Sequence, residues 1–224
     1  MAENLHFNSV FDIIGPVMIG PSSSHTAGAC RIGKIVRIIF REQPNIVTIY
    51  LYGSFAKTYR GHGTDIALVG GVLGMDPDNV CLANSLKLAY EWGVDVRFVI
   101  NKEEKTEHPN TARLVVEKGT KKLSVTGISI GGGAIKVTEV NGFSIALNMG
   151  VPTFVIVHQD VPGIIAQVTN ILSEQHVNIS QMNMTRESRG ENAIMMIEVD
   201  TPHVTGICKK MKKIPNLHDV SFFE

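Results

Sequence analysis

Near Val94 the chain changes its hydrophobic period. Upstream, Ile32, Ile35, Val36 and Ile39 recur at helical spacing. Downstream, five segments alternate or run apolar, at residues 96–100, 112–117, 123–130, 134–140 and 143–147. A period of two places apolar side chains on one face of a strand, and it spreads them around a helix, so these segments are expected to pair in a sheet. Lys118-Gly119, Gly131-Gly132-Gly133 and Asn141-Gly142 separate them. Asn-Gly between two such runs is the strongest short-range hairpin signal. Helices followed by mostly antiparallel strands predict an α+β domain, not a doubly wound sheet.

Within the first ninety residues the spacing predicts helices over 24–40, 64–73 and 80–92 and a strand over 47–52. Ser22, Ser23 and Ser24 are candidate N-caps for the first helix. Ala67, Gly70 and Gly71 leave room for close packing in the second, and Gly93 stops the third. A second unit begins near Gly150. Strands are expected at 153–158, 177–185, 193–199 and 217–222, and helices at 162–175 and 204–214, with Pro162 in the first helical turn. That order, β-α-β-β-α-β, is ferredoxin-like. The predicted domains are 1–149 and 150–224, joined by Gly150-Val151-Pro152.

Apolar residues make up 44% of the 224 and charged residues 19%, which is enough to pack a core. The formal net charge is zero, which argues against a nucleic-acid partner that would need a basic surface. The N-terminal stretch has no basic segment leading into a long apolar one, and no apolar run is long enough to span a bilayer. The expectation is a cytoplasmic protein with no membrane partner. Cys30, Cys81 and Cys208 lie far apart with no CxxC, so no metal-ligand set is expected, and Cys30 and Cys81 read as buried free thiols.

Two polar clusters sit at predicted helix starts. In Gly20–Gly28, Ser22, Ser23, Ser24, His25 and Thr26 crowd a place where free N–H groups and the positive dipole end favour an anion. The alternative is an over-supplied N-cap. In Tyr59–Asp65, His62 lies between Gly61 and Gly63 ahead of Thr64 and Asp65. A histidine there can exchange a proton near neutral pH, and Asp65 is near enough in sequence to orient its ring. The alternative is a surface loop with Thr64 or Asp65 as cap. His108-Pro109-Asn110-Thr111 and Ser129-Ile130-Gly131-Gly132-Gly133 read either as ordinary turns or as further polar clusters. In the second unit, Asn178 opens a strand, and a small polar ligand could bind among the end of the first strand, the loop 159–163 and a neighbouring subunit; the alternative is an ordinary loop.

The stretches FDIIGPVMIGPSSSHTAGACRIG, LYGSFAKTYRGHGTD, HPNT and SIGGG, in that order, resemble the β chain or domain of iron–sulfur-dependent L-serine dehydratases. VIVHQDVPGIIAQVTNILSEQHVNISQMN resembles an ACT domain, similar to the serine-sensing one of D-3-phosphoglycerate dehydrogenase. The N-terminal part also resembles the extra substrate-binding domain of some of those dehydrogenases. The first resemblance implies an L-serine ammonia-lyase that converts L-serine to pyruvate and ammonia. It implies a [4Fe–4S] cluster whose open iron is the Lewis acid and whose cysteines lie in a partner α subunit. Carried over by motif, Ser22, Ser23, Ser24, His25, Thr26, His62, Gly63, Thr64 and Asp65 would line the shared active site. His62 would be the base, with hydrogen bonding to substrate alone as the alternative role. The second resemblance implies an ACT homodimer binding L-serine or another small amino acid through His158, Asp160 and Asn178. Asp160 stands where the dehydrogenase carries Asn. A non-catalytic amino-acid sensor is the competing reading, and a detached fragment of a phosphoglycerate dehydrogenase is the weakest.

Overall fold

The computed structural model describes residues 17–104, 106–148, 151–186, 188–202, 204 and 206–223. The segment searched for a leader, most of FDIIGPV and the linker residue Gly150 lie outside them. The chain divides into two compact units, Met1–Asn141 and Gly142–Glu224.

In the first unit the helix expected from Ser24 arrives in two pieces. A π-helical turn, Ser23–Gly28, runs directly into α1, Ala29–Phe40. Strand β1, Ile46–Tyr52, is followed by the short α2, Gly53–Thr58, and by α3, Thr64–Val72. A 3₁₀ turn, Leu82–Asn84, leads into α4, Ser85–Glu91. Then come β2, Asp95–Asn101, β3, Thr111–Lys118, β4, Lys121–Gly131, and β5, Ala134–Val140. The strand order in this unit is β2-β1-β3-β4-β5. Only β1 and β2 pair in parallel, because three helices intervene between them, and the other pairs are antiparallel.

Two expectations change here. The helix expected over 80–92 starts later, since the Asn79 side chain accepts from the Cys81 N–H and holds a turn there. Cys81 is consequently exposed and only Cys30 is a buried thiol. Helix α2 had no periodic signal, being short and rich in Gly, Ser and Thr. It starts where the Ser54 N–H donates to the Pro109 carbonyl at 2.7 Å, a contact between residues far apart in sequence.

Helix α1 buries Ile32, Ile35, Val36 and Phe40, and β1 buries Val47, Ile49 and Leu51. Each such side chain contributes about 1.5–3 kcal/mol by leaving water. Helices α1 and α3 meet backbone to backbone. A Cβ on Gly33 would lie 2.1 Å from the Leu68 carbonyl oxygen, and one on Gly71 would lie 2.0 Å from that of Cys30. Both helices begin at the same end of this contact, where the Thr26 hydroxyl donates to the His62 carbonyl at 2.9 Å.

The second unit contains β6, Phe143–Asn148, β7, Thr153–Gln159, α5, Ile164–Glu174, β8, Ile179–Arg186, β9, Asn192–Val199, α6, Ile207–Met211, and β10, Leu217–Phe223. From β7 onward the order is the expected β-α-β-β-α-β, on an antiparallel sheet ordered β10-β7-β9-β8. Phe154, Ile156, Val168, Leu172, Met195 and Ile197 are among its core residues. Pro162 is not in the helix. Gly163 is the N-cap at φ 92, a left-handed conformation that suits glycine, and the helical residues begin after it. The helix expected over 204–214 is shorter than predicted, Ile207–Met211. No helix among the described residues is long and apolar enough to cross a membrane.

Gly→Ala inside a helix ordinarily stabilises by about 0.5–1 kcal/mol. At Gly71 the sign should reverse, because backbone atoms on the facing helix have nowhere to go. We expect Gly71→Ala to destabilise the chain by about 2 kcal/mol or more, read as a lower urea midpoint at unchanged slope.

Candidate active site

The π turn is built on Ser22. Its backbone is extended, and its hydroxyl accepts from the His25 N–H at 3.1 Å. Its carbonyl accepts from both Thr26 N, at 2.8 Å, and Ala27 N, at 3.4 Å, and the wider loop of the second bond makes the turn π-helical. One serine therefore caps, and the other two are left over. Ser24 Oγ lies 3.1 Å from His25 Nδ1, while the Ser23 hydroxyl has no partner among the described residues. Thr26 is fully buried and its hydroxyl is spent on the His62 carbonyl, so it straps the two polar clusters together.

His62 closes a turn by donating its N–H to the Thr58 carbonyl at 3.1 Å. Gly63, at φ 66, then caps α3 in the left-handed region. The imidazoles of His25 and His62 meet edge-on with centroids 4.9 Å apart. Asp65 does not orient the His62 ring: its carboxylate accepts from the Ile66 N–H, and the buried Nδ1 of His62 has no hydrogen-bond partner among the described residues. The cause is local, since a carboxylate in the first helical turn has a free N–H at hand. Thr64 is fully buried, and its Oγ1 is also unpartnered.

The structure adds residues that the spacing did not single out. His25 Nε2 lies 3.0 Å from Ser54 Oγ, at the start of α2, and its ring also meets Phe55 edge-on at 5.2 Å. Gly53 stands at φ 52 with the Pro109 backbone where a Cβ would be, so HPNT packs directly under this turn. The Asn110 carbonyl accepts from Ser129 N, and Asn110 Nδ2 donates to the Ser129 carbonyl. The Ser129 side chain fills the space beside Gly28, and Arg31 donates to the Gly133 carbonyl at 2.7 Å. HPNT and SIGGG are thus parts of the same neighbourhood as the two helix-start clusters. Sidedness along β1, β3 and β4 could have hinted at this only with the pairing register known.

Burial, and then the nearby His62 charge, hold the His25 imidazole below its ordinary range. Burial does the same for His108, whose Nδ1 accepts from the Asn110 N–H. The Cys30 thiol is pushed up to about 12, chiefly by burial, and it donates to the Met75 carbonyl. Among the described residues no group of three or more His, Cys, Asp or Glu could hold a metal. The three cysteines are dispersed, so they do not fit an iron–sulfur cluster on this chain.

In the second unit His158 is buried. Its Nδ1 lies 2.7 Å from the Gln159 carbonyl, which can only accept, so the proton is on Nδ1, and Nε2 has no partner among the described residues. Asp160 accepts from the Gly190 N–H and from Arg186, and these bonds hold its carboxyl below the usual carboxylate range. A groove of about 410 Å³ lies here, lined by Asp160, Pro162, Gly163, Arg186 and Arg189 among others. Asn178 is elsewhere, bonded to Asp200. On β9, Ala193 faces His158 and Val199 faces Ile179, a separation of about 20 Å at the strand rise. One copy of the chain does not bring Asn178 to His158 and Asp160.

Histidine NMR titration of the full chain should place His25 below the ordinary midpoint of about 6.5. In His62→Gln it should rise part of the way only, because burial is the larger cause. An unmoved or fully restored midpoint would contradict this order of causes.

A family model described as Serine dehydratase beta chain matches residues 9–91, and one described as AHAS small subunit-like ACT domain matches residues 154–219. The chain is 43% identical to the probable L-serine dehydratase, beta chain, of Bacillus subtilis (strain 168), over 97% of this chain and 98% of that one. It is 37% identical to the L-serine dehydratase, beta chain, of Peptoniphilus asaccharolyticus, covering 87% and 88%. It is 27% identical to the D-3-phosphoglycerate dehydrogenase of Bacillus subtilis over 88% of this chain but 37% of that enzyme. With two beta chains matched over most of their length, and with the second unit in the ACT fold order, the chain belongs to the family of L-serine dehydratase beta chains and carries an ACT domain.

Proposed function

We propose that this chain is the proton-handling half of an iron–sulfur-dependent L-serine ammonia-lyase, active in the cytoplasm with an α subunit that carries the [4Fe–4S] cluster. One contrast between two neighbouring histidines carries the reading. Both ring nitrogens of His25 lie within hydrogen-bond distance of serine hydroxyls, whereas neither nitrogen of His62 has a partner among the described residues. A proton acceptor needs a free lone pair, so His62 is the base and His25 its fixed neighbour.

The half-buried hydroxyls of Ser22, Ser23 and Ser24 crowd the start of the π turn, where they suit the substrate carboxylate. Gly63 and the buried Thr64 hold His62 at the head of α3. His62 takes the α-proton, the C–H electrons form the Cα–Cβ double bond, and the β-hydroxyl departs. The resulting aminoacrylate becomes an imine, and water releases ammonia to leave pyruvate. Assistance to the departing hydroxyl is assigned to the α subunit, because the cysteines of this chain are not a ligand set. Similarity to beta chains over most of their length supports the partner, and three cysteines outside any disulfide support the compartment.

The ACT unit is proposed to bind L-serine or another small amino acid between two copies of the chain. His158 and Asp160 come from one copy and Asn178 from the other, since a single copy keeps them apart. Arg186 neutralises Asp160, so that carboxylate need not repel an amino-acid ligand. The catalytic domain is assigned to residues 1–149 and the regulatory one to 150–224.

In the enzyme assembled with its α subunit, His62→Ala should abolish both pyruvate formation and exchange of the α-hydrogen of deuterated serine while the cluster spectrum is unchanged. Exchange at the parental rate would move the base to the α subunit. Calorimetry of the full chain against a panel of amino acids should show a binding event that Asn178→Ala removes. No heat and no shift in melting temperature across the panel would end the sensor reading.

A further inference from the structure

Ser54 brings a hydroxyl to His25 from outside the π turn. Its position is fixed from several directions. The preceding Gly53 is in the left-handed region against the Pro109 backbone, the Ser54 N–H donates to the Pro109 carbonyl, and the Ser54 carbonyl accepts from the Thr58 hydroxyl at 2.9 Å. This fixed hydroxyl lies 3.0 Å from Nε2 of His25. On the other side of the ring, Ser24 Oγ lies 3.1 Å and Ser22 Oγ 3.4 Å from Nδ1.

A neutral imidazole has one donor and one acceptor nitrogen, and a hydroxyl can serve either. Two bracketing hydroxyls therefore satisfy neutral His25 completely and leave it no nitrogen for substrate. The ring so held is 4.9 Å from His62, where two imidazolium charges would repel.

We propose that Ser54 is a positioning residue that, with Ser24, holds the neutral His25 ring in place against His62, so that the proton taken from the substrate stays on His62. This rests on the assignment of His62 as base. Ser54 does not touch substrate in this scheme and acts through His25. The group that bears on His25 electrostatically is His62, and its other neighbours are the hydroxyls of Ser22, Ser24 and Ser54 and the Phe55 ring.

The test has two arms. In the ¹⁵N-labelled full chain, the His25 Nε2 resonance should shift in Ser54→Ala, which removes its hydrogen bond. Ser54→Cys, which keeps the volume but supplies only a weak thiol donor, should behave like Ser54→Ala and serves if that variant does not fold. Ser54→Thr keeps the hydroxyl and should restore the parental spectrum. In the enzyme assembled with its α subunit, Ser54→Ala should lower kcat about five- to tenfold, the scale of one lost neutral hydrogen bond, with KM within about twofold. Ser54→Thr should recover it. Unchanged His25 signals in both deletion variants, or changed signals with parental kcat, would overturn the proposal. If the parental assembly made no pyruvate, the proposed reaction would fall, and the ring spectra would still decide whether Ser54 governs His25.

Discussion

The first unit depends on the close crossing of α1 and α3. Gly33 and Gly71 let the two helices touch backbone to backbone, at distances where any Cβ would collide with a carbonyl. Each helix is preceded by a polar turn, SSSHT for α1 and HGTD for α3. Because both helices begin at the same end, the crossing places those turns side by side. Thr26 then joins them through the His62 carbonyl. The apolar area buried beneath the helices holds the arrangement against the cost of collecting so many polar groups at one place.

That arrangement gives two histidines unlike roles. His25 is saturated with hydroxyl partners, and burial and its neighbour keep its proton affinity low. His62 has no ring hydrogen bond among the described residues, and its Nδ1 is buried. Buried polar atoms without partners are uncommon in folded proteins. Thr64 Oγ1, Asn110 Oδ1 and Ser129 Oγ share this property in the same unit.

The second unit follows a different logic. Its β-α-β-β-α-β order closes a core of its own, and beside it lies the charged groove of about 410 Å³. Asp160, which stands where the dehydrogenase carries Asn, is balanced by Arg186 and the Gly190 N–H. The register of β9 keeps Asn178 at the far end of the sheet, which is why a binding role for all three residues calls for a second copy.

Most strands and the two long helices were legible in the sequence, because hydrophobic period is a local property and every core-facing side chain repeats it. The ferredoxin-like order and the polar character of SSSHT and HGTD were legible for the same reason. The π turn was not, since the added i→i+5 bond from Ala27 N to the Ser22 carbonyl leaves no mark in the hydrophobic period. Helix α2 had no apolar stripe, and Asp65 looked like a partner for His62 because sequence distance says nothing about a competing backbone N–H. By itself, the sequence determined the elements, their order and which residues were polar where a helix begins. Only the tertiary structure decided which nitrogen of which histidine stays free, because that depends on Ser54 and Pro109, brought to His25 by strand pairing and close helix packing.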